Sequence, residues 1–235
     1  RFVVKLLLQQ LFCEENIKIM VNVLLNYYNF DGEWAREKLT PYVRGKVLII
    51  PLAFREWEIN DEVSWQAIYG EGGEKHDNIM RPFYAYGIEP SDIKWLDYFD
   101  KSADHTAELA EADVLFFTGG MPEKAVARID ELGLRAAIQN FDGVVMGASA
   151  GAMLQLARYH VTPDEDYAEY GLYDGLGLVR GIDLEVHFLD TELQNACTER
   201  ATGDLGLPVC QMWHEGGVLV EGNNVVTMGQ VRIVK

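Results

Sequence analysis

A serine set among small residues, histidines downstream of it and acidic residues between them could together carry out acyl transfer. The serine stands in Gly147-Ala148-Ser149-Ala150-Gly151, after the apolar run Val144-Val145-Met146 and before Ala152-Met153-Leu154-Gln155-Leu156, which is patterned as helix. Strand, Gly-x-Ser-x-Gly and helix in that order is the context of a nucleophile elbow. So sharp a turn needs small residues on both sides of the serine. It also lifts the hydroxyl to a helix N-terminus, where free N–H groups and the helix dipole favour developing negative charge. The alternative is a glycine-rich turn with an idle serine, and the flanking strand and helix favour the nucleophile.

A serine hydroxyl is a weak nucleophile near neutral pH and needs a base, normally a histidine oriented by an acid. The chain has five histidines. His76 and His105 lie in polar, charged stretches and are expected to be solvated. His160, in Arg158-Tyr159-His160-Val161, reads as a satisfied core or surface residue. His187 ends the apolar strand Leu184-Glu185-Val186, and His214 ends Val209–Trp213 beside Glu215. Position favours His187 over His214. For the acid, Asp164, Glu165 and Asp166 occupy a turn between the elbow and His187, and Glu192 and Glu215 are alternatives. Gly119-Gly120 follows the strand Phe117-Thr118 upstream of the serine, where an oxyanion loop belongs. Its amides and that of Ala150 would face a tetrahedral oxyanion, and losing one such donor costs about 2.7–4 kcal/mol of transition-state stabilisation.

These groups need a frame. Apolar strand-length runs at Val21–Leu25, Val47–Leu52, Val114–Thr118 and Val144–Met146 alternate with helix-patterned segments at Glu33–Val43, Glu62–Ile68, Ala107–Ala112 and Glu123–Gln139. That alternation predicts βαβ units, a mostly parallel sheet and a three-layer α/β sandwich. Past Gly181 the pattern predicts a short strand at Leu184–Phe188 and a helix from Thr191 to Ala201. Strands at Val209–Trp213, Val218–Glu221, Val225–Met228 and Val231–Val234 follow, with hairpin turns at Gly222-Asn223-Asn224 and Gly229-Gln230, so the C-terminal strands are expected to be antiparallel. Ligands of open α/β sheets bind at the carboxyl ends of the strands. The loop after Leu52, the Gly119-Gly120 loop and the Ser149 turn should therefore converge.

Hydrophobic residues make up 49% of the chain and charged residues 24%, ordinary for a globular protein. The net charge of −17 argues against nucleic acid as a partner. Cys13, Cys197 and Cys210 form an odd set with no metal-site spacing, consistent with a reduced, cytoplasmic setting. Residues 1–19 read as an N-terminal extension outside the native domain, with a single domain over 20–235, because Met20 stands directly before the first convincing strand. The apolar stretch from Phe2 to Phe12 is too short to span a bilayer, and neither a membrane nor a metal is implied. No Gly-x-Gly-x-x-Gly follows the first strand, where Asn26-Tyr27-Tyr28-Asn29-Phe30-Asp31-Gly32 stands, so a nucleotide-binding Rossmann reading is weak.

Only 86 residues follow Ser149 and His187 lies 38 beyond it, too compact for the usual α/β-hydrolase sheet. From about Met20 onward the chain resembles peptidase family S51, typified by dipeptidase E and including cyanophycinase. The resemblance rests on Phe117-Thr118-Gly119-Gly120, Met146-Gly147-Ala148-Ser149-Ala150-Gly151-Ala152, Thr162-Pro163-Asp164 and Val186-His187-Phe188. It implies a flavodoxin-like sheet of the class I glutamine amidotransferase type. It also implies a triad of Ser149, His187 and Asp164, with Gly119 or Gly120 and Ala150 as oxyanion donors, no cofactor, and a short peptide as substrate of a monomer or homodimer. The chain departs from the family pattern at Met121-Pro122, after the glycine pair. It keeps only a loose echo of the family's substrate-gripping arginine, at Arg200, and Met121, Arg200 and Glu215 are the expected substrate contacts. The alternatives are a cyanophycinase-like or other amide or ester hydrolase, or an inactive amidotransferase-like binding domain.

Overall fold

A computed structural model of the chain describes residues 20–235. The proposed extension at 1–19 lies outside the described residues. Strands β1 (Val21–Leu25), β2 (Val47–Ile50), β3 (Ile93–Trp95), β4 (Val114–Phe117) and β5 (Val144–Ala148) run parallel in the order β1-β5-β4-β2-β3. Their side chains alternate between two apolar layers, as a sheet covered on both faces requires. Val47, Ile49, Val114, Phe116 and Met146 enter one core. Leu48, Ile50, Leu115, Phe117 and Val145 enter the other. Helices α1 (Glu33–Leu39), α2 (Glu62–Tyr69) and α3 (His76–Ala85) supply the first layer. Helices α4 (His105–Glu111), α5 (Pro122–Glu131), α6 (Arg135–Gln139) and α7 (Ala150–Met153) supply the second. The arrangement is the expected mostly parallel α/β sandwich.

After α7 the chain forms a two-stranded antiparallel ribbon, β6 (Arg158–Val161) with β7 (Gly171–Asp174). Strand β8 (Asp183–Glu185) and helix α8 (Glu192–Leu205) precede a long hairpin, β9 (Val209–Glu221) and β10 (Asn224–Val234). The first half of β9 pairs in parallel with β8, and the second half pairs antiparallel with β1. The C-terminal hairpin β9–β10 is thus antiparallel, as the turn residues at Gly222-Asn223-Asn224 indicated.

Several boundaries differ from the sequence expectation. The helix expected over Glu123–Gln139 is two helices, parted at Gly133, whose φ of 70° is left-handed backbone that glycine adopts freely. Gly229-Gln230 is no turn. The ladder runs through it with a shift in register, so that Trp213, His214 and Glu215 bulge out of β9. The bulge is tied to the end of β1: Asn26 Nδ2 donates to the Trp213 carbonyl at 2.6 Å and Asn29 Nδ2 to that of His214 at 3.1 Å. The strand expected to reach Phe188 stops at Glu185, leaving His187 free to turn. His105 is buried rather than solvated, its Nδ1 2.8 Å from Glu108 Oε2. Cys197 and Cys210 are free and buried. Among the described residues, no helix is long and apolar enough to cross a membrane.

Candidate active site

Ser149 follows β5 at φ 54°, ψ −118°, a conformation that costs a non-glycine residue strain. The two flanking glycines explain why the turn closes. A Cβ on Gly147 would stand 2.1 Å from the Gly151 carbonyl oxygen, and one on Gly151 would stand 2.1 Å from that of Phe117. Backbone occupies the space a methyl group would need, so the spacing of the pentapeptide follows from contact distances. Gly151→Ala is therefore expected to push α7 off β4 and to lower the melting temperature by several degrees, which a thermal melt checks. The helix is only one turn, Ala150–Met153, so its dipole is small. Stabilisation of an anion here falls to individual amides.

His187 meets the serine. Its Nε2 lies 2.7 Å from Ser149 Oγ. The histidine also has a left-handed backbone, φ 54°, held from both sides. Its N–H donates to Asn26 Oδ1 at 2.7 Å, and its carbonyl accepts from Gln194 Nε2 at 3.0 Å. The Tyr27 ring packs against the imidazole with centroids 4.4 Å apart, and His214 lies on Tyr27 at 4.7 Å. The two rival histidines thus converge on one tyrosine, and only His187 is bonded to the serine.

Burial lowers the His187 pKa below the ordinary histidine value, the Asp164 charge opposes that, and the His214 charge adds to it. The imidazole is therefore neutral at pH 7 and able to take a proton. Asp164 lines the same cleft, in the turn after β6. Its Oδ1 accepts from the amides of Asp166 at 2.8 Å and Tyr167 at 3.0 Å. It makes no hydrogen bond to His187, whose Nδ1 is buried without a partner among the described residues, so the expected orienting contact is absent and only its charge bears on the imidazole. The Asp164 turn is itself anchored. Asp166 takes a two-pronged hydrogen bond from Arg55, with Nε at 2.7 Å from Oδ1, and the Tyr167 hydroxyl donates to Glu123 at 2.5 Å.

The loop expected to face an oxyanion departs from that expectation in one amide. Gly119 N–H donates to the Tyr28 hydroxyl at 2.6 Å. The amides of Gly120 and Ala150 have no protein acceptor among the described residues. Gly120 has φ 136°, and a Cβ there would lie 2.1 Å from the Ala53 carbonyl oxygen, so only glycine fits.

Ser149, His187, Asp164, Gly119 and Gly120 all line one cleft of about 610 Å³, within the usual range for small-ligand sites. The three residues expected to contact substrate do not line it. Arg200 is exposed on α8, with Nε 3.3 Å from Asp204 and its guanidinium over the Tyr170 ring. Met121 is buried at the start of α5, its amide 2.7 Å from the Ala53 carbonyl. Glu215 sits exposed on the β9 bulge. The cations that do line the cleft, Arg55 and Lys75, are paired with Asp166 and Glu58. Sequence reasoning missed Asn26, Tyr27, Tyr28 and Gln194, although the first three directly follow a central strand, where a parallel sheet presents its ligand-facing loops. Among the described residues, no cluster of three or more His, Cys, Asp or Glu side chains could hold a metal ion.

The fold is peptidase E-like. A candidate peptidase E from Listeria monocytogenes EGD-e superposes with a TM-score of 0.61 at 18% identity, covering 89% of this chain and 98% of that one. A peptidase from an acI-B1 actinobacterium gives a TM-score of 0.60 at 17% identity, covering 92% and 91%. No protein-family model and no curated protein matches the sequence.

Proposed function

We propose that the protein is a serine hydrolase that cleaves short peptides through an acyl-enzyme. The observation that carries this reading is the 2.7 Å contact between the Ser149 hydroxyl, raised on a strained turn, and His187 Nε2. In the proposed mechanism His187 takes the hydroxyl proton as Ser149 Oγ bonds to the scissile carbonyl carbon. The carbonyl electron pair moves onto oxygen and is met by the Gly120 and Ala150 amides. His187 then protonates the leaving amine as the C–N bond breaks. Water, deprotonated by the same histidine, releases the acid and regenerates the serine. The Asp164 field favours the imidazolium formed in each half-reaction.

The peptidase E-like fold and a cleft of only about 610 Å³ support the choice of short peptides over long chains. Family resemblance implies a preference for an N-terminal aspartate. The placement of Arg200 outside the cleft leaves that preference without its expected cation, and the proposal stops at short peptides. Hydrolysis of a dipeptide library by wild type and Ser149→Ala is the test. Turnover by wild type and a loss of at least 10³-fold in the variant, within the range for removal of a triad nucleophile, are expected. Equal rates would reject the mechanism.

A further inference from the structure

We propose that Tyr28 is a third oxyanion donor, its phenol taking the place in the pocket that the Gly119 amide would otherwise fill. This rests on the serine-hydrolase reading of the same cleft. The contact between Gly119 and Tyr28 has only one possible polarity. An amide N–H only donates, so the Tyr28 oxygen is the acceptor at 2.6 Å, and its own proton is left to point elsewhere. No protein acceptor takes that proton among the described residues.

Position supplies the rest. An ideal Cβ built on Gly119 would stand 3.3 Å from the Tyr28 hydroxyl and 3.4 Å from Ser149 Cβ. The phenol and the nucleophile therefore flank the same small volume above Gly119, and both line the cleft. Gly120 and Ala150, whose amides are the other proposed donors, directly follow Gly119 and Ser149 in the chain, so the carbonyl oxygen would move toward this volume as Ser149 attacks. Gly119 thus contributes at one remove. Its N–H fixes the phenol, and a phenol that accepts a hydrogen bond becomes a stronger donor through its own O–H. The ring packs against the first apolar core, with the Phe116 ring centroid 6.0 Å away. Burial pushes the Tyr28 pKa up to about 12, so the donor proton is kept at neutral pH and is lost only in the strongly alkaline range.

During attack the Ser149 Oγ–carbon bond forms and the carbonyl electron pair moves to oxygen. Tyr28 O–H would then donate to that oxygen without transferring its proton. Such a bond strengthens as charge develops, so its loss should appear in kcat more than in KM.

The test uses a fluorophosphonate, whose phosphoryl oxygen takes the oxyanion's place once Ser149 is phosphonylated. Rates of labelling are measured for wild type, Ser149→Ala and Tyr28→Phe, with peptide kcat and KM alongside. Wild type should label and Ser149→Ala should not. Tyr28→Phe, which keeps the ring against Phe116, should label about 10²-fold more slowly, the scale of one lost oxyanion donor. A companion variant carrying fluorotyrosine at position 28 keeps the shape and lowers the phenol pKa. Its activity should fall off at a lower alkaline pH than the wild type's, a shift that a merely structural phenol would not produce. Wild-type labelling rates in Tyr28→Phe, or an unmoved alkaline limb in the fluorinated protein, overturn the role of Tyr28 while leaving Ser149 as nucleophile. Failure of the wild type itself to label overturns both.

Discussion

Replacement of His187 by glutamine is expected to lower kcat/KM by about 10⁴–10⁶-fold with little change in melting temperature, the range spanned by removal of a triad's acid or its base. Glutamine can still hydrogen-bond Ser149 Oγ, so the substitution removes basicity while keeping a polar partner beside the serine. At 1.36 kcal/mol per tenfold change, that loss amounts to about 5–8 kcal/mol of transition-state stabilisation. The pH profile makes the assignment specific. The base works only when neutral, and burial lowers its pKa, so the neutral form persists below the usual histidine range. The acid limb of kcat/KM, which reports groups of the free enzyme, should therefore fall below pH 6.5. Asp164→Asn removes a charge that favours the imidazolium, and its limb should move to still lower pH. His214→Ala removes a charge that opposes the imidazolium, and its limb should move up. Steady-state kinetics from pH 4 to 8 check all three. A loss under tenfold in His187→Gln, with activity then abolished in His214→Ala, would hand the base to the rival imidazole across Tyr27.

The elbow was legible in the sequence because its constraint is local. Gly147 and Gly151 are needed where backbone atoms come within 2.1 Å of an added Cβ, and a pentapeptide records such a demand directly. The parallel sheet was legible for a similar reason, since strands buried on both faces leave continuous apolar runs. His187 was harder. Its choice over His214 rested on chain position, whereas the deciding contacts are long-range, from Asn26 at the end of β1 and from Gln194 in α8. The bulge that sets His214 beside Tyr27 needs a register shift between β9 and β10 that no turn signal announces. The Gly119 amide was assigned to the oxyanion because its dipeptide looks like an oxyanion loop. Only the fold, which brings the loop after β1 past the end of β5 to the loop after β4, shows that a phenol reaches it first. Arg200 matched a motif by order along the chain, but a helix places residues by angle as well, and its angle turns it to solvent.

His160→Leu is expected to destabilise the fold by about 3–5 kcal/mol, the cost of removing one partner from a buried ion pair. For a protein of this size that is a fall of about 6–20 °C in melting temperature, at 2–4 °C per kcal/mol. His160 is 1% exposed, and Asp183 and Glu185, two residues apart on β8 and so on the same face, are 0% and 4% exposed. The imidazole bridges them, Nδ1 to Asp183 at 2.6 Å and Nε2 to Glu185 at 2.7 Å, while Thr162 donates to the same Glu185 oxygen. Burial alone would lower the histidine's pKa. The hydrogen bonds and charges of Asp183 and Glu185 outweigh it and hold the value at about 9. Because the folded pKa lies above the ordinary 6.5, this stabilisation is fully present below about pH 6.5 and is lost as pH rises through 9. Wild type should therefore lose melting temperature across that window, and the gap between wild type and His160→Leu should narrow. Adding Asp183→Asn and Glu185→Gln to His160→Leu should recover part of the loss, because the buried carboxylates would no longer lack a counter-charge. A His160→Leu protein that melts within about 2 °C of wild type at pH 6, or a gap that is constant from pH 6.5 to 9, would show the imidazole to be neutral in the fold. The outcome bears on the cleft as well, since β8 ends two residues before His187 and a loosened β8 would carry the base away from Ser149.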